Sequence, residues 1–160
     1  MAEAVFTHTA STQRGTSPRT LIGTVDSAGT GAYHEGSAPD SRTLAVLRAH
    51  GVRGYAHTAR KVRPDDWARF DWILAMDADN LADLKAVWRR AVKRDAALAE
   101  TARARVVLFG DFGGQAGEEV LDPYYGGVEG FERAFEQCGR FARGFLKAIE
   151  AEVESGADES

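Results

Sequence analysis

Cysteine occurs once in this chain, at Cys138, so an internal disulfide framework and a multi-cysteine metal site are both excluded. A single thiol suits a reducing compartment, and a cytoplasmic location is expected. No apolar run approaches the roughly 20 residues that cross a bilayer, so no membrane partner is expected. Met1 is not followed by the basic stretch and apolar core of a secretion signal. A basic excess is also missing. Twenty Lys and Arg stand against 24 Asp and Glu, a net charge of −4, which implies no nucleic-acid face. The histidines do not fall at His-Glu-x-x-His spacing, and no metal or other cofactor is expected. Gly29 and Gly31 lack the third glycine of a dinucleotide fingerprint. There is no internal repeat and no sign of a second domain.

What is present describes one globular domain of 160 residues, 44% hydrophobic and 28% charged. Residues 2 to about 12 open as a helix, although Thr7, Thr9, Ser11 and Thr12 are poor helix formers. Residues 13–20 are polar and read as a loop, and Leu21 to Ala28 as a first strand. Pro39, Asp40 and Ser41 open a helix that Gly51 stops. A short helix follows Pro64. The run 72–76 (Trp-Ile-Leu-Ala-Met) and the run 105–109 (Arg-Val-Val-Leu-Phe) read as strands buried on both faces. Between them, Asp77 to Arg90 is helical, and Gly110 to Gly117 is a glycine-rich loop. Phe131, Phe135, Cys138, Phe141, Phe145, Leu146, Ile149 and Val153 recur at helical spacing and predict a long final helix. Strands alternating with helices predict an α/β fold with a parallel sheet. The domain is expected over 1–154, with 155–160 a frayed acidic tail.

Three groupings could carry chemistry. Asp122 lies in Asp122-Pro123-Tyr124-Tyr125-Gly126-Gly127, where it could protonate a leaving phenolate while Tyr124 and Tyr125 stack on an aromatic substrate. The same residues also suit a plain surface turn before the last helix. Tyr33 and His34 follow the first predicted strand, where parallel sheets bind ligands, or they sit in an ordinary connection. Glu3 could orient His50 or His57, or both histidines could be ordinary surface residues. Cys138 sits on the apolar stripe of the last helix and reads as a core residue, not a nucleophile. The Arg89, Arg90, Lys93 and Arg94 cluster reads as a solvated helix end.

In order along the chain, Met1 to Phe6, Asp26-Ser27-Ala28-Gly29-Thr30, Pro39-Asp40-Ser41-Arg42, His50-Gly51-Val52, His57-Thr58-Ala59-Arg60, Phe70 to Asp77, Asn80-Leu81 and Asp122 to Gly126 resemble the low-molecular-weight protein tyrosine phosphatases. That resemblance implies a three-layer α/β/α fold with parallel strands in the order 2-1-3-4 and no cofactor. It implies hydrolysis of phosphotyrosine proteins or small aryl phosphates through a phosphocysteine, formed by a Cys-x5-Arg loop that cradles the phosphate. Residue by residue, Asp122 matches the general acid and Tyr33 an aromatic position of the substrate loop. Glu3 and His57 match an acid–histidine pair that braces the phosphate loop.

Met1 stands where the family's phosphate loop has just ended. The expectation is therefore an N-terminally truncated domain that lacks the first strand and the Cys-x5-Arg loop, and is inactive as it stands. A non-catalytic binding or regulatory relative is the alternative. An arsenate reductase on the same fold would need more cysteines than the one present.

Overall fold

The computed structural model describes residues 1–12, 21–124 and 126–158. The expected loop at 13–20 and the site candidate Tyr125 lie outside the described residues.

Helix α1 (Ala2–Thr12) buries Ala4, Val5, Phe6 and Ala10. Its threonines do not stop it, because Thr9 and Thr12 donate their hydroxyls to the carbonyls of Val5 and His8 one turn back, at 2.8 and 2.9 Å. Helix α2 (Ser41–Ala49) begins where Asp40 accepts the Arg42 N–H at 2.8 Å. It ends at His50 and Gly51, whose φ of 80° is the left-handed geometry that favours glycine. A short helix α3 (Asp66–Arg69) leads into strand β1 (Trp72–Ala75). Helix α4 (Ala78–Arg94) is capped by Asp77, which accepts the Asn80 N–H at 2.6 Å. The short α5 (Leu98–Thr101) precedes β2 (Arg105–Leu108), a 3-10 turn (Phe109–Gly113) and the long α6 (Val128–Asp158).

β1 and β2 pair in parallel, Trp72 opposite Arg105 and Ala75 opposite Leu108. Alternate residues of β1 serve two different cores. Trp72 and Leu74, with Met76 just beyond the strand, face a cluster built from α1, α6 and the 3-10 turn. Ile73 and Ala75 face a second cluster with Trp67, Leu84 and Val62. Helices thus cover both faces of a parallel sheet, the expected α/β/α layering.

α6 is the centre of the larger core. Phe141 is 0% exposed, with its ring edge-on to Phe109 at 5.5 Å between centroids. The 3-10 turn lies against the helix so closely that a Cβ on Gly144 would stand 1.8 Å from the Phe112 carbonyl oxygen.

Four expectations are corrected. Leu21 is helical and residues 22–28 form no ladder; among the described residues the pairing beside them is a parallel bridge from Gly29 to Lys61. A strand is defined by a ladder with a neighbour, and among the described residues 22–28 form none. Arg105 is exposed, so β2 is not buried throughout. The glycine-rich loop begins as a 3-10 turn. Val153, expected on the apolar face, is 49% exposed, and α6 continues through residues read as a frayed tail.

Candidate active site

The segment carrying Asp122 leaves the end of β1's layer: the Val120 N–H donates to the Met76 carbonyl at 2.9 Å. This is the carboxyl end of a parallel strand, where such sheets open to ligands. Asp122 then folds back on its own chain. Its carboxylate accepts the Tyr124 N–H at 3.0 Å, and the Gly126 N–H closes onto the Pro123 carbonyl at 3.0 Å. Asp122 itself is exposed.

Tyr124, half-exposed, points its ring at His34, with centroids 6.0 Å apart. The loop carrying Tyr33 and His34 is closed by the Glu35 N–H on the Ala32 carbonyl and the Ser37 N–H on the His34 carbonyl. It is tied to residue 59 by the Gly36 N–H at 2.7 Å. Tyr33 stands 94% exposed. The structure therefore brings the Tyr33–His34 turn up to the Asp122 loop.

Glu3 and His57 meet at a second centre, half-buried between α1 and the chain's extended middle. The His57 Nδ1 is 3.2 Å from the Glu3 carboxylate. That same carboxylate oxygen accepts the Ser27 hydroxyl in a short hydrogen bond and the Tyr55 hydroxyl at 3.1 Å. The Ser27 Oγ lies 3.4 Å from His57 Nε2, so both ring nitrogens face oxygens. Burial and the nearby Glu3 charge push the Tyr55 hydroxyl above its ordinary pKa and keep it a neutral donor. Next to it, Asp26 accepts Arg60 Nε at 2.9 Å, and Arg60 also reaches the buried Asp66 at 2.8 Å. Ligand-type atoms of Glu3, Asp26 and His57 lie within 4.8 Å of one another. Hydrogen-bond donors from Ser27, Tyr55 and Arg60 already aim at these carboxylates, so the group is a closed hydrogen-bonded network.

His50 does not join it. It contacts Glu132 at 2.7 Å and stacks on Phe135, centroids 4.1 Å apart. Of the two histidines considered beside Glu3, only His57 is there. Cys138 is 1% exposed, and burial pushes its thiol up to about 11, the opposite of what a nucleophile needs.

A surface cavity of about 260 Å³ beside Asp122 is lined by Asp77, Asp79 and Glu119. Asp77 and Glu119 are both engaged with N–H groups of the first turn of α4, Glu119 through Ala78 at 2.8 Å. It is a capping assembly whose charge opposes an anion.

Sequence reasoning missed Tyr55, Arg60 and Arg42 as parts of this region, and gave Asp26 and Ser27 no role of their own. Tyr55 had a readable signal: it lies two residues before His57 on an extended stretch, and so on the same side. Arg42 had none. It reaches 82 residues along the chain to the Tyr124 carbonyl at 3.1 Å.

A family model described as low molecular weight phosphotyrosine protein phosphatase matches residues 1–155. A phosphatase of that description from Schizosaccharomyces pombe is 39% identical over 93% of this chain and 87% of its own. Among solved structures, a protein tyrosine phosphatase from Entamoeba histolytica superposes with a TM-score of 0.76 at 29% identity, over 95% of this chain and 88% of its own. A drosophila arginine phosphatase does so with a TM-score of 0.74 at 30% identity, over 92% and 87%.

Proposed function

Because the chain belongs to the low molecular weight phosphotyrosine protein phosphatase family, we propose that its exposed Asp122 turn is the proton-donating arm of a protein tyrosine phosphatase. The observation that carries this reading is the pairing of that turn, through Tyr124, with the Tyr33–His34 turn. An aryl ring between Tyr33 and Tyr124 would leave its phosphate ester oxygen within the reach of Asp122. A thiolate attacks phosphorus, the P–O(aryl) bond breaks, and Asp122 gives its proton to the departing phenolate. The resulting carboxylate then takes a proton from the water that splits the phosphocysteine. Glu3 and His57, locked together with Ser27 and Tyr55, brace the floor on which the phosphate loop rests.

The thiolate is not among these 160 residues. Cys138 is buried, and Gly144, not arginine, stands six positions after it. The 160-residue chain alone is therefore proposed to be inert toward phosphotyrosine. The proposal includes no cofactor, a cytoplasmic setting and a single domain over 1–154. The lack of Cys-x5-Arg in these residues also favours a second reading, a binding relative without chemistry.

The test uses phenyl phosphate and phosphotyrosine peptide with two proteins: the chain itself, and the chain with a strand and Cys-x5-Arg-Ser loop fused before Met1. The first is expected to show no turnover. The second is expected to be active, and Asp122→Ala in it to lower kcat by about 10²–10⁴. Turnover by the chain alone that persists in Cys138→Ser would sink the assignment of the missing nucleophile. A fused chain that acts on phosphoarginine and not phosphotyrosine would overturn the substrate. One that binds phosphotyrosine peptide without turnover would favour the second reading.

A further inference from the structure

We infer that Arg42 is a positioning residue that holds the Asp122 loop in its working geometry, a role that rests on reading Asp122 as the proton donor. The guanidinium has three engagements. Its Nε and Nη2 fork onto the two carboxylate oxygens of Asp40 at 3.1 and 2.8 Å. Its remaining Nη1 donates to the Tyr124 carbonyl at 3.1 Å. Its plane lies 5.4 Å above the Tyr124 ring and 4.5 Å above the ring of Phe131, in the first turn of α6.

Asp40 is fixed in turn as the cap of α2 through the Arg42 N–H. One residue thus joins the start of α2, the start of α6 and the backbone of the acid loop. The connection to chemistry is direct. The peptide unit on one side of Tyr124 supplies the N–H that holds the Asp122 carboxylate, and its carbonyl on the other side is held by Arg42. A lysine could supply the charge but not the fork, since a planar guanidinium fits two carboxylate oxygens and a carbonyl at once. Phe131 beneath the guanidinium is 2% exposed, so the base of the arrangement cannot drift.

Amide hydrogen exchange by NMR on the full 160-residue chain tests this without any turnover. Arg42→Ala should speed exchange at Tyr124 and Gly126 about tenfold, the ratio that one charged hydrogen bond commands. Amides of β1, β2 and Cys138 to Leu146 should stay at their wild-type rates. Arg42→Lys should recover only part of the lost protection. Asp122→Asn should speed the same amides, and the double variant should add less than the sum of the two. Unchanged rates at Tyr124 and Gly126 would overturn the inference, and so would an equal rise throughout the protein. If Arg42→Ala does not fold, Asp40→Asn frees the fork with the guanidinium in place and must speed the same two amides. In the fused chain, Arg42→Ala should slow esters of poor leaving groups more than those of good ones, as Asp122→Ala does. Because exchange needs no catalysis, a failed phosphatase assay leaves this pattern intact, and a failed pattern leaves the phosphatase reading standing.

Discussion

From Phe109 to Phe145 the molecule is held by rings and aliphatic groups. Around Glu3, Asp26, His57 and Arg60 it is held by ions and hydroxyls. In the first region Phe109, Phe112, Trp72, Phe141 and Phe145 interlock edge-on and tilted, with centroids 4.8 to 5.9 Å apart. In the second, Glu3, Asp26, His57, Arg60 and Asp66 are joined by ion pairs and hydrogen bonds, and the backbone ties beside them include the bridge from Gly29 to Lys61 and the bonds of Gly36 and Ser37 with Ala59. Apolar packing beside this network comes from Ile22, Val25 and Tyr55, which lean on the larger core. The contrast teaches that the two regions answer to different perturbations. One yields to lost volume, the other to lost charge.

Removing volume should have the largest effect. Phe141→Ala empties the best-buried position and is expected to cost about 3–5 kcal/mol, read as a lowered urea midpoint with an unchanged slope. A loss below 1 kcal/mol would show that α6 is not the organising element. Removing charge comes next. Arg60→Ala strips Asp66, 5% exposed, of its cation, leaving the Arg63 N–H at 2.8 Å. The expected cost is about 1.5–3 kcal/mol, and added salt should narrow the difference between variant and wild type.

Titration separates the regions further. The Arg42 fork holds Asp40 down at about 2, and the Arg140 guanidinium does the same for Glu118. Both folded values lie below the ordinary ones, so their contribution is present above pH ~4 and lost as pH falls toward 2. Both carboxylates are only partly buried, and the acid effect should be slight. Cys138 runs the other way. Burial raises it from 9.0 to about 11, so its contribution is full below pH 9 and lost as pH rises through 11. Cys138→Ala should flatten that alkaline limb in thermal melts. Iodoacetamide at pH 8 should leave the folded thiol unmodified and label it in denaturant. The smallest effect is expected at Tyr33, whose exposed ring adds little to folding. Tyr33→Ala should shift stability by no more than about 0.5 kcal/mol.

The apolar region was legible in the sequence and the polar one much less so. Phe131, Cys138, Phe141, Phe145 and Leu146 recur with the helical period, and Asp40, Asp77 and Gly51 mark helix ends through local hydrogen bonding and backbone geometry. Each of these signals spans a few residues. The strand expected at 21–28 was read from local composition, but its pairing depends on a neighbour that local composition does not describe. Tyr55 and Ser27 converge on Glu3 from 52 and 24 residues away, and no periodicity encodes such a meeting. Within the candidate site, Asp122 and Tyr124 were proposed from turn chemistry and family likeness, and the structure sets Tyr124 beside His34. His50 was considered with His57, and the structure sends it to Glu132 and Phe135 instead. Arg42 escaped notice because its neighbours in sequence explain it fully as a helix-start residue. Only the fold reveals its second task.

Each strand of the sheet has a single neighbour among the described residues, so the Trp-Ile-Leu-Ala tetrapeptide of β1 keeps one rim of amides and carbonyls unspent. Such a rim on a greasy segment is a docking strip for the same segment in another molecule. In a concentrated preparation the earliest sign of ageing should accordingly be stickiness at this rim, with thioflavin-positive material forming while the phenylalanine core is still intact. Any chain that lies down along this rim should postpone it.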